Sequence, residues 1–130
     1  MFTVLLKEMR PAFQPFGYLL TAAVSANTEH ILQSYEILGL NQHLDFINLL
    51  MFDYSDKNAR VTGHNAPLYD GGVVESVRFL TSRGLISTKI VMGIPFFGHG
   101  YTLACSKEFH VGAKTIESAS VNSAYRNVRL

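Results

Sequence analysis

The chain has 130 residues, a length typical of a single domain. It is 48% hydrophobic and 16% charged, so its composition excludes an intrinsically disordered protein. Its 11 basic and 10 acidic residues leave a net charge of +1, which provides no field to attract nucleic acid or an anionic membrane. No apolar stretch is long enough to span a bilayer, and a single cysteine, Cys105, excludes an internal disulfide.

The N-terminal segment predicts an amphipathic helix. Its apolar residues recur at spacings of three and four, at Leu5, Leu6, Met9 and Phe13. Pro11 lacks the backbone donor that would reach the carbonyl of Lys7, so we expect a kink or an early stop there. The basic residue at position 7 follows a short apolar run, which is the wrong order for a signal peptide.

A strand and a second helix are predicted next. The apolar run at residues 18–24 predicts a buried strand. Residues 27–40 predict a short helix that begins at Asn27 or Thr28, either of which is a suitable N-cap. The inward face of this helix is expected to carry Ile31, Leu32 and Tyr35.

Residues 44–54 (LDFINLLMFDY) are a long apolar run that ends in a carboxylate. Such a run is typical of a strand that is buried on both faces, as parallel strands are. Asp53 would then lie at the carboxyl end of the strand, where α/β folds collect their functional groups.

The remaining pattern predicts a polar loop, a helix and a third strand. Residues 55–69 are polar, and a helix is expected to begin at Asp70 and to end near Arg83 and Gly84, with its inward face at Val73, Val77 and Leu80. Residues 89–97 predict a third buried strand, whereas the alternation in residues 101–130 is too faint to assign. Strands alternating with helices indicate an α/β fold with parallel strands and crossover helices. The pattern does not distinguish an open sheet from part of a closed barrel.

Three motifs occur in order along the chain. They are residues 20–25 (LTAAVS), residues 44–54 followed by the string TGHNAPLY at residues 62–69, and residues 89–98 (KIVMGIPFFG). Together they resemble glycoside hydrolase family 18, the chitinases and chitinase-like lectins. The first is similar to the fifth barrel strand of that family, the second to the sixth strand with its Met-x-Tyr-Asp motif, and the third to the seventh strand.

This resemblance implies a fragment of a (β/α)₈ barrel with three parallel strands and crossover helices. A whole barrel takes roughly 250 residues, so the first four strands and the eighth are not in this chain. The resemblance assigns residues 1–104 to the catalytic barrel and residues 105–130 to the start of an α+β insertion.

The resemblance also implies a sugar-binding site that departs from the family pattern. The family's methionine and tyrosine on strand six are Leu50 and Phe52 here, and its aspartate is retained as Asp53. On strand seven, its tyrosine is Phe97 and its arginine is His99. We expect these five residues to line the substrate site, with Phe52 and Phe97 as core or cleft-wall residues and His99 at the rim. Asp53 is either a sugar ligand or a carboxylate satisfied by backbone donors.

Catalysis in this family needs a glutamic acid on strand four that protonates the leaving oxygen, and its Asp-Gly-x-Asp-x-Asp-x-Glu motif does not occur here. We assign no catalytic residue, because losing the general acid costs on the order of 10²–10⁴-fold in rate. Phe52 lacks the hydroxyl that holds the acetamido group. A stacking tryptophan of the family is replaced by Asn58, and the chain has no tryptophan.

The resemblance therefore predicts a truncated, chitinase-like protein that does not hydrolyse chitin and binds chitin or N-acetylglucosamine oligosaccharides weakly. One alternative is an active chitinase whose coding sequence extends upstream of Met1. Another is a remnant with no ligand that survives only as an interaction partner.

The sequence and the family resemblance also give expectations about partners, cofactors and location. We expect no cofactor, no nucleic-acid or membrane partner and no metal site, because the histidines are scattered without ligand spacing. Another chain is expected to complete the open sheet edges. The family is usually secreted, so we expect an extracellular protein, although the chain shows no export signal.

Overall fold

The computed structural model describes residues 1–55 and 60–124, with only the backbone of residues 118–124. The chain forms two compact units, one from residues 1–51 and 68–93 and the other from residues 52–67 and 94 onward. None of the described helices combines the length and the apolarity needed to cross a membrane.

The first unit consists of helices around a small sheet. Its α-helices are α1 (Phe2–Phe13), α2 (Thr28–Ser34), α3 (Ile37–His43) and α4 (Val73–Ser82), and its strands are β1 (Thr21–Ser25), β2 (Phe46–Leu50) and β3 (Ile90–Gly93). Short 3₁₀ turns at Gln14–Phe16 and Ser87–Lys89 follow α1 and precede β3.

The three strands form one parallel sheet in the order β1-β2-β3. Thr21 pairs with Phe46 at one end of the β1–β2 ladder, and Leu50 pairs with Gly93 at the end of the β2–β3 ladder. Each pair of neighbouring strands is separated in sequence by at least one helix. The prediction of an α/β fold with parallel strands and crossover helices is therefore confirmed.

The core of the first unit lies on one face of β2. Ile47 and Leu49 are 0% exposed, whereas Phe46 and Asn48 are only half-buried and Leu50 is exposed. Side chains on a strand point alternately to opposite faces, so β2 buries one face fully and the other partly. The expectation of a strand buried on both faces is wrong for this reason.

The other two predicted strands are shorter and more exposed than their apolar runs suggested. Tyr18 and Leu19 precede β1 and are exposed, so the first strand begins at Thr21. Ile94 and Phe96 are exposed after β3, and within β3 only Ile90 and Gly93 are half-buried. Among the described strands, β1 and β3 each pair only with β2, so both are edge strands of this sheet.

Helix α1 continues past Pro11 instead of stopping there. The backbone N–H of Gln14 donates to the carbonyl of Arg10, so the helical hydrogen bonds resume beyond the proline. Of the four residues on the predicted inward face only Leu6 is buried, and Leu5 is exposed.

The helix predicted over residues 27–40 is two helices. Asn27 caps α2, because its side-chain oxygen accepts the backbone N–H groups of Glu29 and His30 at 3.0 and 3.2 Å. Tyr35 and Glu36 then adopt extended dihedrals, which end α2 and allow α3 to begin at Ile37. Ile31 is fully buried as expected, but Leu32 is exposed because it lies on the outer side of α2.

Helix α4 begins at Val73, three residues after the predicted start. Asp70 and Gly71 have φ values of 58° and 84°, so neither residue is helical. At the other end, Gly84 has a φ of 94°, a conformation that glycine adopts without steric cost and that commonly ends helices. The glycine C-terminus of this helix was correctly predicted.

Asp45, just before β2, and Lys89, just before β3, form side-chain hydrogen bonds to neighbouring segments of the first unit. One oxygen of Asp45, just before β2, accepts a hydrogen bond from Arg10 of α1 at 2.6 Å and from the backbone N–H of Leu20 at 2.7 Å. The Arg10 hydrogen bond, followed by that of Leu20, lowers the pKa of Asp45 below its usual value. Lys89 donates to the carbonyls of Asn41 and Leu44 at 2.6 and 2.7 Å, at the carboxyl end of α3.

The second unit contains an antiparallel pair, β4 (Phe97–Leu103) and β5 (Thr115–Ala124). β4 begins at Phe97, where the predicted third strand ends, and the rest of the pair extends into residues 101–130, where the alternation was too faint to assign. The register of the pair shifts between Gly100 and Leu103. One strand of the pair lies before position 104 and the other lies after it. The resemblance places the end of the barrel at position 104, and that assignment stays a prediction.

Within the second unit, a short ladder joins residues 60–62 to residues 110–115. Val61 bridges Lys114, and the Thr62 backbone exchanges hydrogen bonds with Gly112 and Ala113. The Thr62 hydroxyl donates to the carbonyl of His110 at 2.8 Å. These bonds hold residues 60–65 in a defined position although they form no helix or strand of their own.

Candidate functional site

Asp53 lies three residues after the last residue of β2, in an uncommon backbone conformation. Its φ is 61°, in the left-handed region that aspartate tolerates better than most residues. Its backbone N–H donates to the side-chain oxygen of Asn65 at 2.9 Å. This hydrogen bond helps to hold a conformation that is otherwise sparsely populated.

Asn65 connects the two segments that carry the candidate site. Its backbone carbonyl accepts the N–H of Tyr54 at 3.1 Å, and its side-chain amide donates to the carbonyl of Phe97 at 3.4 Å. Sequence reasoning did not select Asn65, although it lies in the string at residues 62–69 that carried the resemblance. An asparagine in a turn-rich loop could have indicated this role, because its side-chain amide can form hydrogen bonds with backbone groups on both sides.

Asp53 and His99 form a close pair. The Nε2 atom of His99 lies 2.6 Å from Oδ1 of Asp53, and the side chains are 2% and 42% exposed, respectively. The ring of His99 is enclosed, whereas the carboxylate of Asp53 is partly exposed; the expected place of His99 at the rim of a substrate site stays a prediction. Among the described residues, the hydrogen bond to this carboxylate comes from the His99 side chain.

The second ring nitrogen of His99 is enclosed. Nδ1 is buried and has no hydrogen-bond partner among residues 1–55 and 60–124. The ring contacts Asp53 through Nε2, whose N–H donates to Oδ1.

The rings of Phe52 and Phe97 form a cluster with the His99 ring of this pair. Phe52 and Phe97 meet edge to face with centroids 5.4 Å apart, and Phe97 meets the His99 ring at 5.6 Å. Both phenylalanines are half-buried, so they pack together and still present part of their surface. Edge-to-face contact is the favoured arrangement of such rings.

The structure thus brings together four of the five predicted site residues, Phe52, Asp53, Phe97 and His99, all in the second unit. Leu50 is the last residue of β2 in the first unit and is 38% exposed. Asn58 lies outside the described residues. No group of three or more metal-binding side chains occurs within the described part of the chain.

A further side-chain pair supports the same unit. The hydroxyls of Ser55 and Tyr101 lie 3.2 Å apart and join the segment after Asp53 to β4. Together with Asn65, this contact places residues 52–55 against β4. The site is therefore built on two segments that are separated by more than 40 residues in sequence but tied by several hydrogen bonds.

A comparison with protein families identifies the chain. The model of the glycosyl hydrolases family 18 matches residues 1–128. The chain belongs to glycosyl hydrolases family 18. The family resemblance seen in the sequence is thereby confirmed over nearly the whole chain.

Curated and solved relatives within family 18 include non-enzymatic and enzymatic members. Human chitinase-3-like protein 2 is 43% identical over 86% of this chain. The structure of human YKL-39, described as a pseudo-chitinase that retains chitooligosaccharide binding, is 36% identical with a TM-score of 0.86 over 97% of this chain. Catalytic domain 2 of the group II chitinase of Ostrinia furnacalis is 32% identical with a TM-score of 0.86 over 98% of this chain.

The chain spans only part of these relatives. It covers 33% of the curated human protein, 42% of the pseudo-chitinase structure and 35% of the insect catalytic domain. The expectation that the chain forms part of the (β/α)₈ barrel of family 18 is confirmed by these structural matches.

Proposed function

We propose that this family 18 chain binds N-acetylglucosamine oligosaccharides through the Asp53 site and does not hydrolyse them. The observation that carries the proposal is the outward-facing carboxylate of Asp53 beside the rings of Phe52 and Phe97. A carboxylate accepts hydrogen bonds from sugar hydroxyls, and aromatic rings provide an apolar surface for a sugar ring. The retained chitooligosaccharide binding of the similar human pseudo-chitinase supports this proposal.

The non-hydrolytic part of the proposal rests on missing functional groups. Glycoside hydrolysis requires a carboxylic acid that protonates the leaving oxygen. The strand-four motif that carries this acid in the family does not occur in the chain. Phe52 has no hydroxyl with which to hold an acetamido group.

Binding is tested by calorimetry with the N-acetylglucosamine hexamer. The chain is expected to bind weakly, and Asp53→Ala is expected to weaken binding by about tenfold or more, because hydrogen bonds to charged groups contribute about 1.5–3 kcal/mol. Glu108→Ala removes an exposed carboxylate of the same unit and serves as the matched control. If the chain does not bind the hexamer or chitin beads, the proposal fails. The alternative that the chain is a remnant with no ligand is then favoured.

Hydrolysis is tested separately with a fluorogenic chitobioside. The purified chain is expected to release no fluorophore above the uncatalysed rate. Turnover that is abolished by replacing one of its acidic residues would contradict the non-hydrolytic part of the proposal.

An active chitinase is the second candidate, favoured by the similarity to the catalytic domain of the Ostrinia furnacalis enzyme. In this case polypeptide upstream of Met1 supplies the glutamic acid. A transcript that extends upstream into an Asp-Gly-x-Asp-x-Asp-x-Glu motif would support this candidate. In the longer protein, Phe52→Tyr is then expected to raise the rate by roughly 10²–10³-fold, the typical effect of one stabilising donor.

We also propose that β1 and β3 pair with further strands in the working protein, supplied by additional polypeptide or by another chain. Exposed apolar residues on β3, Val91 and Met92, support this part of the proposal. An extracellular location belongs to the same proposal, because the family resemblance implies secretion. Recovery of the protein from the medium of cells that express its complete coding sequence would test the location.

A further inference from the structure

The turn before α4 contains the only aspartate in the sequence that is followed by a glycine. Asp70 and Gly71 have φ values of 58° and 84°, and both residues are exposed. Helix α4 begins at Val73 with Gly72 as its N-cap, so the N–H of Gly71 takes no part in the helical hydrogen bonds. The peptide bond between Asp70 and Gly71 is therefore held neither by burial nor by a helix or strand.

The amide nitrogen of Gly71 is sterically accessible. Glycine has no Cβ to shield its nitrogen, and a Cβ added here would meet no heavy atom of the described residues within 4 Å beyond its chain neighbours. An exposed turn outside the helices and strands opens at little cost in free energy, so the carboxyl carbon of Asp70 can reach this nitrogen. Asp45 differs, because two hydrogen bonds hold its carboxylate and the bulky Phe46 follows it in β2.

We propose that Asp70 and Gly71 form a modification site at which aspartate converts spontaneously to isoaspartate. In the first step the nitrogen of Gly71 attacks Cγ of Asp70, an N–C bond forms, and the hydroxyl of the protonated carboxyl leaves with the amide proton as water. In the second step water opens the resulting five-membered imide at either carbonyl. Attack at Cγ restores aspartate, whereas attack at the main-chain carbonyl carbon leaves the backbone running through Cγ. Both steps need no reagent besides water.

The conversion changes the turn in two ways. It lengthens the backbone by one methylene group, and it leaves a free α-carboxylate in an exposed position. The hydrogen bond from the Val74 N–H to the Leu68 carbonyl, 3.0 Å long, spans this turn, so the longer backbone is expected to weaken it. The α-carboxylate of an isoaspartyl residue is the group that isoaspartyl methyltransferases esterify, and an enzyme of this class is the partner that the modified site fits. This inference is independent of the proposed sugar binding.

The test follows the folded chain during several weeks at neutral pH and 37 °C. A purified isoaspartyl methyltransferase with a labelled methyl donor measures total isoaspartate, and peptide mapping with electron-transfer fragmentation locates it. Position 70 is expected to contain at least about tenfold more isoaspartate than position 45, which corresponds to a reaction barrier lower by about 1.4 kcal/mol. The rate at position 70 is expected to be comparable to that in a synthetic peptide of residues 66–74, because the fold leaves the turn accessible.

Asp70→Glu is the matched control, because it keeps the charge but would have to close a six-membered ring, and it is expected to remove the label from this position. Circular dichroism before and after incubation confirms that the parent chain and the variant remain folded. An absence of isoaspartate at position 70, or a rate more than about tenfold below that of the peptide, overturns the inference. Label that persists unchanged in Asp70→Glu places the reaction elsewhere and also overturns it.

Discussion

Asp45 shows how one carboxylate oxygen connects three parts of the first unit at the residue scale. It accepts hydrogen bonds from Arg10 in α1 and from Leu20 just before β1, and Phe46 of β2 follows it directly. Both donors stabilise the ionised form, which holds the pKa of Asp45 below its ordinary value of 3.8. The stabilisation is therefore fully present above the unfolded-state pKa and is lost as the pH falls through the lower folded-state pKa.

This linkage predicts a pH-dependent effect of Asp45→Asn. The variant is expected to lower the urea midpoint at pH 7 and to weaken the loss of stability that the parent chain shows below about pH 4, where unfolded aspartate begins to bind protons. Urea denaturation at pH 7, 4 and 3 measures both effects. Asp70→Asn, at an exposed position of the same unit, is the control and should leave the pH profile unchanged. Parallel profiles for the parent and Asp45→Asn would show that Asp45 is not responsible.

The candidate site could be predicted only in part from single residues. Asp53, Phe52, Phe97 and His99 were found because strand motifs carried them, and the structure places them in contact. The enclosure of His99 and the role of Asn65 were not predictable, because both depend on contacts between segments far apart in sequence. Periodicity reports which residues share a face, but it does not report which distant loop covers that face.

Capping residues could be predicted from the local sequence, whereas tertiary contacts determine where several helices and strands end. The Asn27 cap and the glycine after α4 need only their own neighbours, so the sequence was sufficient. The break at Tyr35 and the exposure of Ile94 and Phe96 depend on what packs nearby, which apolar pattern alone does not state. The β4–β5 pair was not predicted, because residues 104–114 separate its two strands and its register is irregular.

The alternation along β2 gives a prediction at the element scale. Leu49 is fully buried and Leu50, its neighbour of the same type, is 38% exposed. Leu49→Ala is expected to lower the free energy of unfolding by about 2–5 kcal/mol, because the deletion leaves a cavity in the core, whereas Leu50→Ala should cost about 1 kcal/mol or less. Urea unfolding of the two variants measures the difference. Equal costs would show that β2 does not bury one face in preference to the other.

At the scale of the whole chain, the described sheet has two edges and an exposed apolar surface on β3. Edge strands offer unpaired backbone groups that recruit other strands, and apolar side chains on such strands favour association. In relatives that are about three times as long, additional polypeptide is available to cover such edges. The 130-residue chain studied alone is therefore expected to be marginally stable and to self-associate.

Self-association through β3 predicts that a charge on this strand restores the monomer. Val91→Lys and Met92→Lys place a charge at positions that are 43% and 49% exposed, where lysine disfavours edge-to-edge pairing without disturbing the core. Sedimentation velocity at increasing concentration is expected to show oligomers for the parent chain and a larger monomer fraction for both variants. Val111→Lys, at an exposed position outside the sheet, is the control and should associate like the parent. A parent chain that remains monomeric and melts cooperatively would contradict this prediction, because the uncovered edges would then be tolerated without a partner.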